Sequence, residues 1–294
     1  MTVKEFIDAE YRPHVESSLA ASTAEGYRKL WKAYAQYVEG ETLELRVVDC
    51  QRILREICQE NPNLNKSTIK HIKAFFSGVW TYAIRMGFTA ANPWQHVGIP
   101  NAAEAGETHA YSPQEINAML AAVPSDYYLL VLLAASTGLR KSEIRGLKWS
   151  DWNSEEKTLY VNRALWRKHE KPTKSRASKA PVSVVEPLAI ELDERCGKSD
   201  AYIFPNSVGG ALDLDNTARR FLVPALRKAE IRWYGWHAFR RGLATFLHAN
   251  SVPDKEIQAI LRHENVSTTQ KAYVKTIPTN IRKAMAAVTY GGTK

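Results

Sequence analysis

The run Thr137-Gly138-Leu139-Arg140-Lys141-Ser142-Glu143 is the first part of this sequence whose residue types could do chemistry together. Gly138 ends one helix and turns the chain, Arg140 stands where a new helix begins, and Glu143 follows one turn later, close enough to hold a guanidinium in place. In a second run, Trp236-His237-Ala238-Phe239-Arg240-Arg241, His237 and Arg240 lie three apart and project from one side of a helix start, while Arg241 is directed elsewhere. A third run extends from Leu261 to Tyr273, where His263 follows one helix and Tyr273 rides the next. Cutting a polyanion without a metal requires fixed cations around one phosphate, a proton donor for the leaving oxygen and a nucleophile. Each residue alone is weak evidence. An arginine at a helix start is more often solvated or salt-bridged, and a single tyrosine usually packs its ring with the hydroxyl at the rim. The ordered set carries the reading.

Composition agrees with a polyanionic partner. In 294 residues, 40 Lys and Arg outnumber 31 Asp and Glu, a formal charge of +9, although a mildly basic balance is also common in proteins that bind no nucleic acid. Cys50, Cys58 and Cys196 form no CxxC pair and no ligand cluster with the eight histidines, which argues against a structural zinc or a disulfide framework and fits a reducing cytosol. The longest apolar run, Tyr127 to Ala135, falls far short of the roughly 20 residues a membrane span needs. The chain is therefore read as soluble and cytoplasmic, with no cofactor, no metal and no membrane partner.

These side chains must be carried by a scaffold, and the length favours two domains. Helical spacing of three and four dominates the first 92 residues: Val3, Phe6 and Ile7; Tyr27, Leu30, Trp31, Tyr34 and Tyr37; Ile53, Leu54 and Ile57; and Ile69, Ile72, Phe76, Val79, Trp80 and Ala83. Lys66, Lys70, His71, Lys73 and Arg85 sit off the apolar face of that last helix, where phosphate contact and simple solvation both remain open. The small-residue stretch around Ile99 to Gly106 reads as a linker. Domain boundaries follow at 1–98, 99–110 and 111–294. In the second domain Ser112-Pro113-Gln114-Glu115 is a capping box with proline at the first helical position, predicting a helix over 113–123, and another runs over 126–136. Two β-rich runs, 158–167 and 180–185, are joined by a polar segment, 168–179. Helices resume over 187–196, 214–230, 238–250, 254–262 and 268–275, and Ile281, Met285 and Val288 at helical spacing predict a tail helix over 279–288. The fold class is thus mainly α with a small β-sheet.

The boxes T-G-L-R-x-x-E-I-x-x-L-x-W-x-D around Arg140, His237-x-x-Arg240, Leu261-x-His263 and S-T-T-x-x-x-Tyr273 resemble the signature of the tyrosine recombinases of the phage-integrase type. The resemblance spans about residues 111–276, and the helical first part is similar to that family's core-binding (SAM-like) DNA-binding domain. It implies that Arg140 and Arg240 clamp a scissile phosphate, a task suited to guanidinium geometry. His237 and His263 would hydrogen-bond the same phosphate, Tyr273 would be the nucleophile, and Glu143 would orient Arg140. The family's proton-donating lysine on a β-hairpin maps to Lys174, with Lys171 and Lys179 as neighbours in register. Arg262 departs from the pattern, standing where the family usually has glycine, and is expected to alter the turn that presents His263; Phe239 and Arg241 also replace commoner residues. Implied partners are double-stranded DNA, three further copies of the chain on two paired sites, and an accessory DNA-bending protein. An extra arm-binding module is not expected. Rival readings are an inactive, architectural DNA-binding protein and an activity like that of a type IB topoisomerase.

Overall fold

The computed structural model describes residues 1–104, 106–167, 169–172 and 181–262, with the side chains of Lys171 and Pro172 left aside. The chain divides into two compact units, Met1–Glu107 and Thr108–Lys294.

The first unit is helical throughout. Helix α1 (Val3–Phe6) opens on a capping box in which the Thr2 hydroxyl accepts from the Glu5 amide and the Glu5 carboxylate accepts from the Thr2 amide. It passes through a π turn, Ile7–Tyr11, into α2 (Arg12–Ser18). The cause is Pro13, whose ring cannot tolerate the carbonyl four residues back. The ladder slips by one residue just before it, so that the Arg12 amide donates to the Ile7 carbonyl. Helices α3 (Ala21–Tyr34), α4 (Val47–Glu60) and α5 (Lys66–Arg85) follow. Cys50, Ile53, Leu54 and Ile57 of α4 meet Ile69, Ile72, Phe76, Val79 and Trp80 of α5 in a core closed by Trp94. Two of the lysines off the α5 apolar face are engaged within the unit. Lys66 pairs with Glu104 at 2.8 Å, and the Lys73 ammonium donates to the Val97 and Gln95 carbonyls at 2.6 and 3.2 Å. Residues read as linker also hold to this unit: Ile99 and Ala102 pack on its core, and the Lys66 amide donates to the Ala103 carbonyl.

The second unit is built around α7 (Ser125–Thr137), whose residues from Leu129 to Ala135 are all buried. A helix apolar on every side belongs at the centre of a domain, and α6 (Pro113–Ala122), α9 (Glu186–Glu194) and α12 (Trp236–Ala249) pack around it. The expected capping box at Ser112 and Glu115 is formed. Among the described residues between α7 and α9 lie the short helix α8 (Lys141–Ile144) and five short strands: β1 (Trp152–Asn153), β2 (Thr158–Leu159), β3 (Arg163–Trp166), β4 (His169–Pro172) and β5 (Val182–Ser183). All pairings are antiparallel, in the order β1-β2-β5 and, separately, β3-β4.

Strand β4 falls inside the segment read as a polar connection. Its register sets Arg163 opposite Pro172 and Trp166 opposite His169, antiparallel to β3, and Arg167, directly after β3, lies in the left-handed region. Backbone pairing needs no apolar alternation, so composition gave no sign of it. The stretch 214–230, read as one helix, is α10 (Leu214–Thr217), a π turn over Ala218–Leu222, and α11 (Val223–Lys228). Pro224 repeats the arrangement at Pro13, with the Val223 amide donating to the Ala218 carbonyl. Helix α13 (Asp254–Leu261) closes the described chain against α12. Among the described residues no helix is long and apolar enough to cross a membrane.

Candidate active site

Three chain reversals in the second unit converge. The first is the end of α7, where Gly138 adopts φ 59° as the helix cap. An L-residue there would be forced into the left-handed region, which is what requires glycine, and its Cβ would stand 2.8 Å from Leu261 Cδ2, a methyl that would have to shift. The second is the start of α12, where Gly235 takes φ 84° and His237 and Arg240 occupy the first turn and a half. The third is the end of α13, where Arg262 takes φ 54° and ψ 46°.

Arg240 bridges the first and third reversals. Its Nη1 donates to the Gly138 carbonyl at 2.7 Å and its Nη2 to the Leu261 carbonyl. Only 4% of the residue is exposed, and burial, followed by the charge of Arg140, pulls its pKa down to about 9, still protonated at neutral pH. Arg140 caps α8. Its amide donates to Glu143 Oε2 at 2.8 Å and its Nη1 to Glu143 Oε1 at 2.9 Å, while Nη2 reaches the Arg262 carbonyl at 3.5 Å. A third of the Arg140 side chain is accessible, so its guanidinium can meet a ligand.

Glu143 is the buried anion of this group, with a side chain 4% exposed. Besides Arg140 it accepts from Arg262 Nη2 at 2.7 Å, and the Arg262 side chain is 1% exposed. Burial lowers the Arg262 pKa, partly offset by Glu143. Arg262 thus retains the left-handed turn that glycine would make and folds its side chain under the site. Its amphipathic helix gave every reason to expect a solvated arginine, and sequence reading missed this contact.

His237 faces solvent at the rim. Partial desolvation, and then the charges of Arg240, Arg241 and Arg140, hold its pKa below the ordinary value, against a smaller opposing pull from Glu143. The imidazole is therefore neutral at pH 7 and able to take a proton. Arg241 does point elsewhere: its Nε donates to the His109 carbonyl at 2.6 Å.

Asp151, the last residue of the first box, is 1% exposed and accepts from the Lys148 amide, Asn162 Nδ2 and Arg163 Nη1, the last at 2.5 Å. It ties the segment after α8 to β3, and so fixes the hairpin whose outgoing strand ends at Pro172, two residues before Lys174. Lys174, His263 and Tyr273 lie outside the described residues, as do Lys179, the helix read over 268–275 and the tail helix around Ile281, Met285 and Val288. Of the seven candidate residues, four are thus placed, and Arg140, Glu143, His237 and Arg240 stand together. Among the described residues no group of three or more His, Cys, Asp or Glu is arranged to hold a metal ion.

Residues 110–278 match the model of the phage integrase family. Curated relatives include a XerC-like tyrosine recombinase of Caldanaerobacter subterraneus subsp. tengcongensis, 26% identical over 83% of this chain and 72% of the relative. Another is the tyrosine recombinase XerC of Bacillus pumilus, 23% identical over 92% of this chain and 90% of the relative. Among solved structures, the Tn1549 transposon integrase in complex with a circular intermediate DNA superposes with a TM-score of 0.81 at 18% identity, over 98% of this chain and 100% of that one. A lambda integrase dimer bound to a COC′ core site gives 0.70 at 19% identity, over 92% and 95%.

Proposed function

Because the chain belongs to the phage integrase family, we propose that it is a site-specific recombinase that cleaves and rejoins double-stranded DNA through a 3′-phosphotyrosyl link on Tyr273. The observation that carries the reading is the convergence of Arg140, Arg240 and His237 on one face of the second unit, with both guanidiniums held by fixed acceptors.

In the forward step the Tyr273 hydroxyl oxygen attacks the scissile phosphorus. The Oη–P bond forms as the P–O5′ bond breaks, the phenolic proton passes to neutral His237, and Lys174 gives a proton to the departing O5′. A tyrosine near its free pKa of about 10 is a poor nucleophile at neutral pH, so the cationic pocket and the nearby base are both needed. Arg140 and Arg240 neutralise charge growing on the non-bridging oxygens, and their anchoring removes the reorganisation that mobile side chains would require. His263 hydrogen-bonds the same phosphate. A 5′ hydroxyl from a second duplex then reverses each step and restores the tyrosine. Bond energy is conserved in the phosphotyrosine, so no nucleotide hydrolysis enters the cycle.

The first unit serves as the core-binding domain, Lys70, His71 and Arg85 of α5 meeting phosphates. Four protomers act on two paired sites, with an accessory DNA-bending protein at the synapse. The test is a nicked suicide duplex drawn from the flanks of the encoding gene, scored for an SDS-resistant adduct. Wild type forms it and Tyr273→Phe does not, although both bind the DNA. Binding by wild type with no adduct would replace this reading with an architectural one.

A further inference from the structure

Arg262 combines two unfavourable features. A non-glycine residue is held in the left-handed region, and a guanidinium is taken almost wholly out of water. The guanidinium is paired with a buried carboxylate: Glu143 Oε2 receives Arg262 Nη2 at 2.7 Å. That contact sets how the carboxylate is shared. With Oε2 occupied by Arg262 and by the Arg140 amide, only Oε1 meets the Arg140 guanidinium, through a single Nη1 bond at 2.9 Å. A carboxylate free of Arg262 can turn both oxygens onto the Arg140 fork, the geometry such pairs favour. The same turn supplies main-chain acceptors to both clamping arginines, Arg262 O to Arg140 and Leu261 O to Arg240. Charge acts in the same sense. Glu143 pairs with both Arg140 and Arg262, Arg240 stands close to them, and a glycine at 262 would take one positive charge out of this group. Inside a poorly solvated site that difference is felt at the phosphate.

We infer that Arg262 is a positioning residue for the scissile phosphate: buried beneath the site, it holds Glu143 so that the Arg140 guanidinium stays available to the DNA, and it adds a third positive charge to the pocket. The inference rests on the recombinase reading above. Because its side chain is 1% exposed, Arg262 acts through Arg140 and through its field, without touching the substrate.

The experiment compares wild type, Arg262→Met and Arg262→Lys on the nicked suicide duplex, made once with the natural phosphodiester and once with a methylphosphonate at the scissile position, which carries no charge to be neutralised. Arg262→Met is expected to form adduct on the phosphodiester about 10- to 100-fold more slowly, the scale of a misplaced catalytic group, with DNA affinity unchanged. On the methylphosphonate its deficit should shrink to about 3-fold or less, because the demand for positive charge is gone. Arg262→Lys, which keeps the charge, should recover most of the phosphodiester rate. If Arg262→Met does not stay folded, Arg262→Gln, which keeps a donor for Glu143 without the charge, carries the same comparison. Equal deficits on the two substrates would assign Arg262 a purely structural part and overturn the inference, as would a variant as fast as wild type. A wild type that forms no adduct while binding the DNA would overturn the recombinase reading, and this inference with it.

Discussion

Replacing Glu143 with glutamine removes one charge and almost no volume, and its cost can be worked from the surroundings. The carboxylate accepts three hydrogen bonds, from the Arg140 amide, Arg140 Nη1 and Arg262 Nη2. An amide offers one acceptor oxygen and turns an NH2 toward donors. The two guanidiniums do not suffer equally. Arg140 is about a third accessible and water screens much of its loss, so its share stays near 0.5 kcal/mol. Arg262, 1% exposed, loses the carboxylate it is paired with while staying buried, a change that costs about 3–5 kcal/mol. For a unit of this size that lowers the midpoint of thermal unfolding by roughly 10 °C. Calorimetry of the full chain measures it, with Glu143→Gln/Arg262→Met as the internal control. The double variant removes the buried cation together with its anion and should regain more than half of the lost stability. If Glu143→Gln lies within about 1 kcal/mol of wild type, or if the double variant is no better than the single one, the buried pair is not what holds this corner together.

Two further outcomes are expected. Gly138→Ala should destabilise the chain by about 2 kcal/mol, mostly from forcing an L-residue to φ 59°, since the Leu261 methyl it meets can give way; an unchanged urea midpoint would refute the strain. Adduct formation should fall at acid pH as neutral His237 is protonated. Since burial and three neighbouring guanidiniums lower its pKa, the midpoint of that limb should lie below 6.5, and His237→Ala should abolish it; a limb centred above 6.5, or one that survives the substitution, would remove His237 as the base.

What the sequence made legible was whatever short-range chemistry dictates. The capping box at Ser112 and Glu115, the all-apolar run of α7 and the glycine stop at Gly138 are local signals, and each element lies within a few residues of its expected ends. Arg140 and Glu143, three apart at a helix start, could be paired on paper for the same reason. What escaped depended on contacts distant along the chain. Arg262 reaches a partner 119 residues away, and nothing in its neighbours marks it as buried. Strand β4 exists because β3 pairs with it, whatever its own polarity. The π turn before Pro224 was hidden because helical periodicity survives a one-residue slip, although a proline within a helical run was available as a warning.

Gly138 and Leu261 hold Arg240 through main-chain acceptors. Arg145 and Arg241 are anchored in the same way, on the Leu212 and His109 carbonyls. An anchor made of carbonyl oxygen is present whatever side chain its residue bears, so no missense change at a neighbour can delete it directly. Mutational drift can therefore renew much of the wall around these arginines without loosening them. It is harmful where it redirects the backbone itself, and that confines the fragile positions to a few turn residues, Gly138 foremost among them.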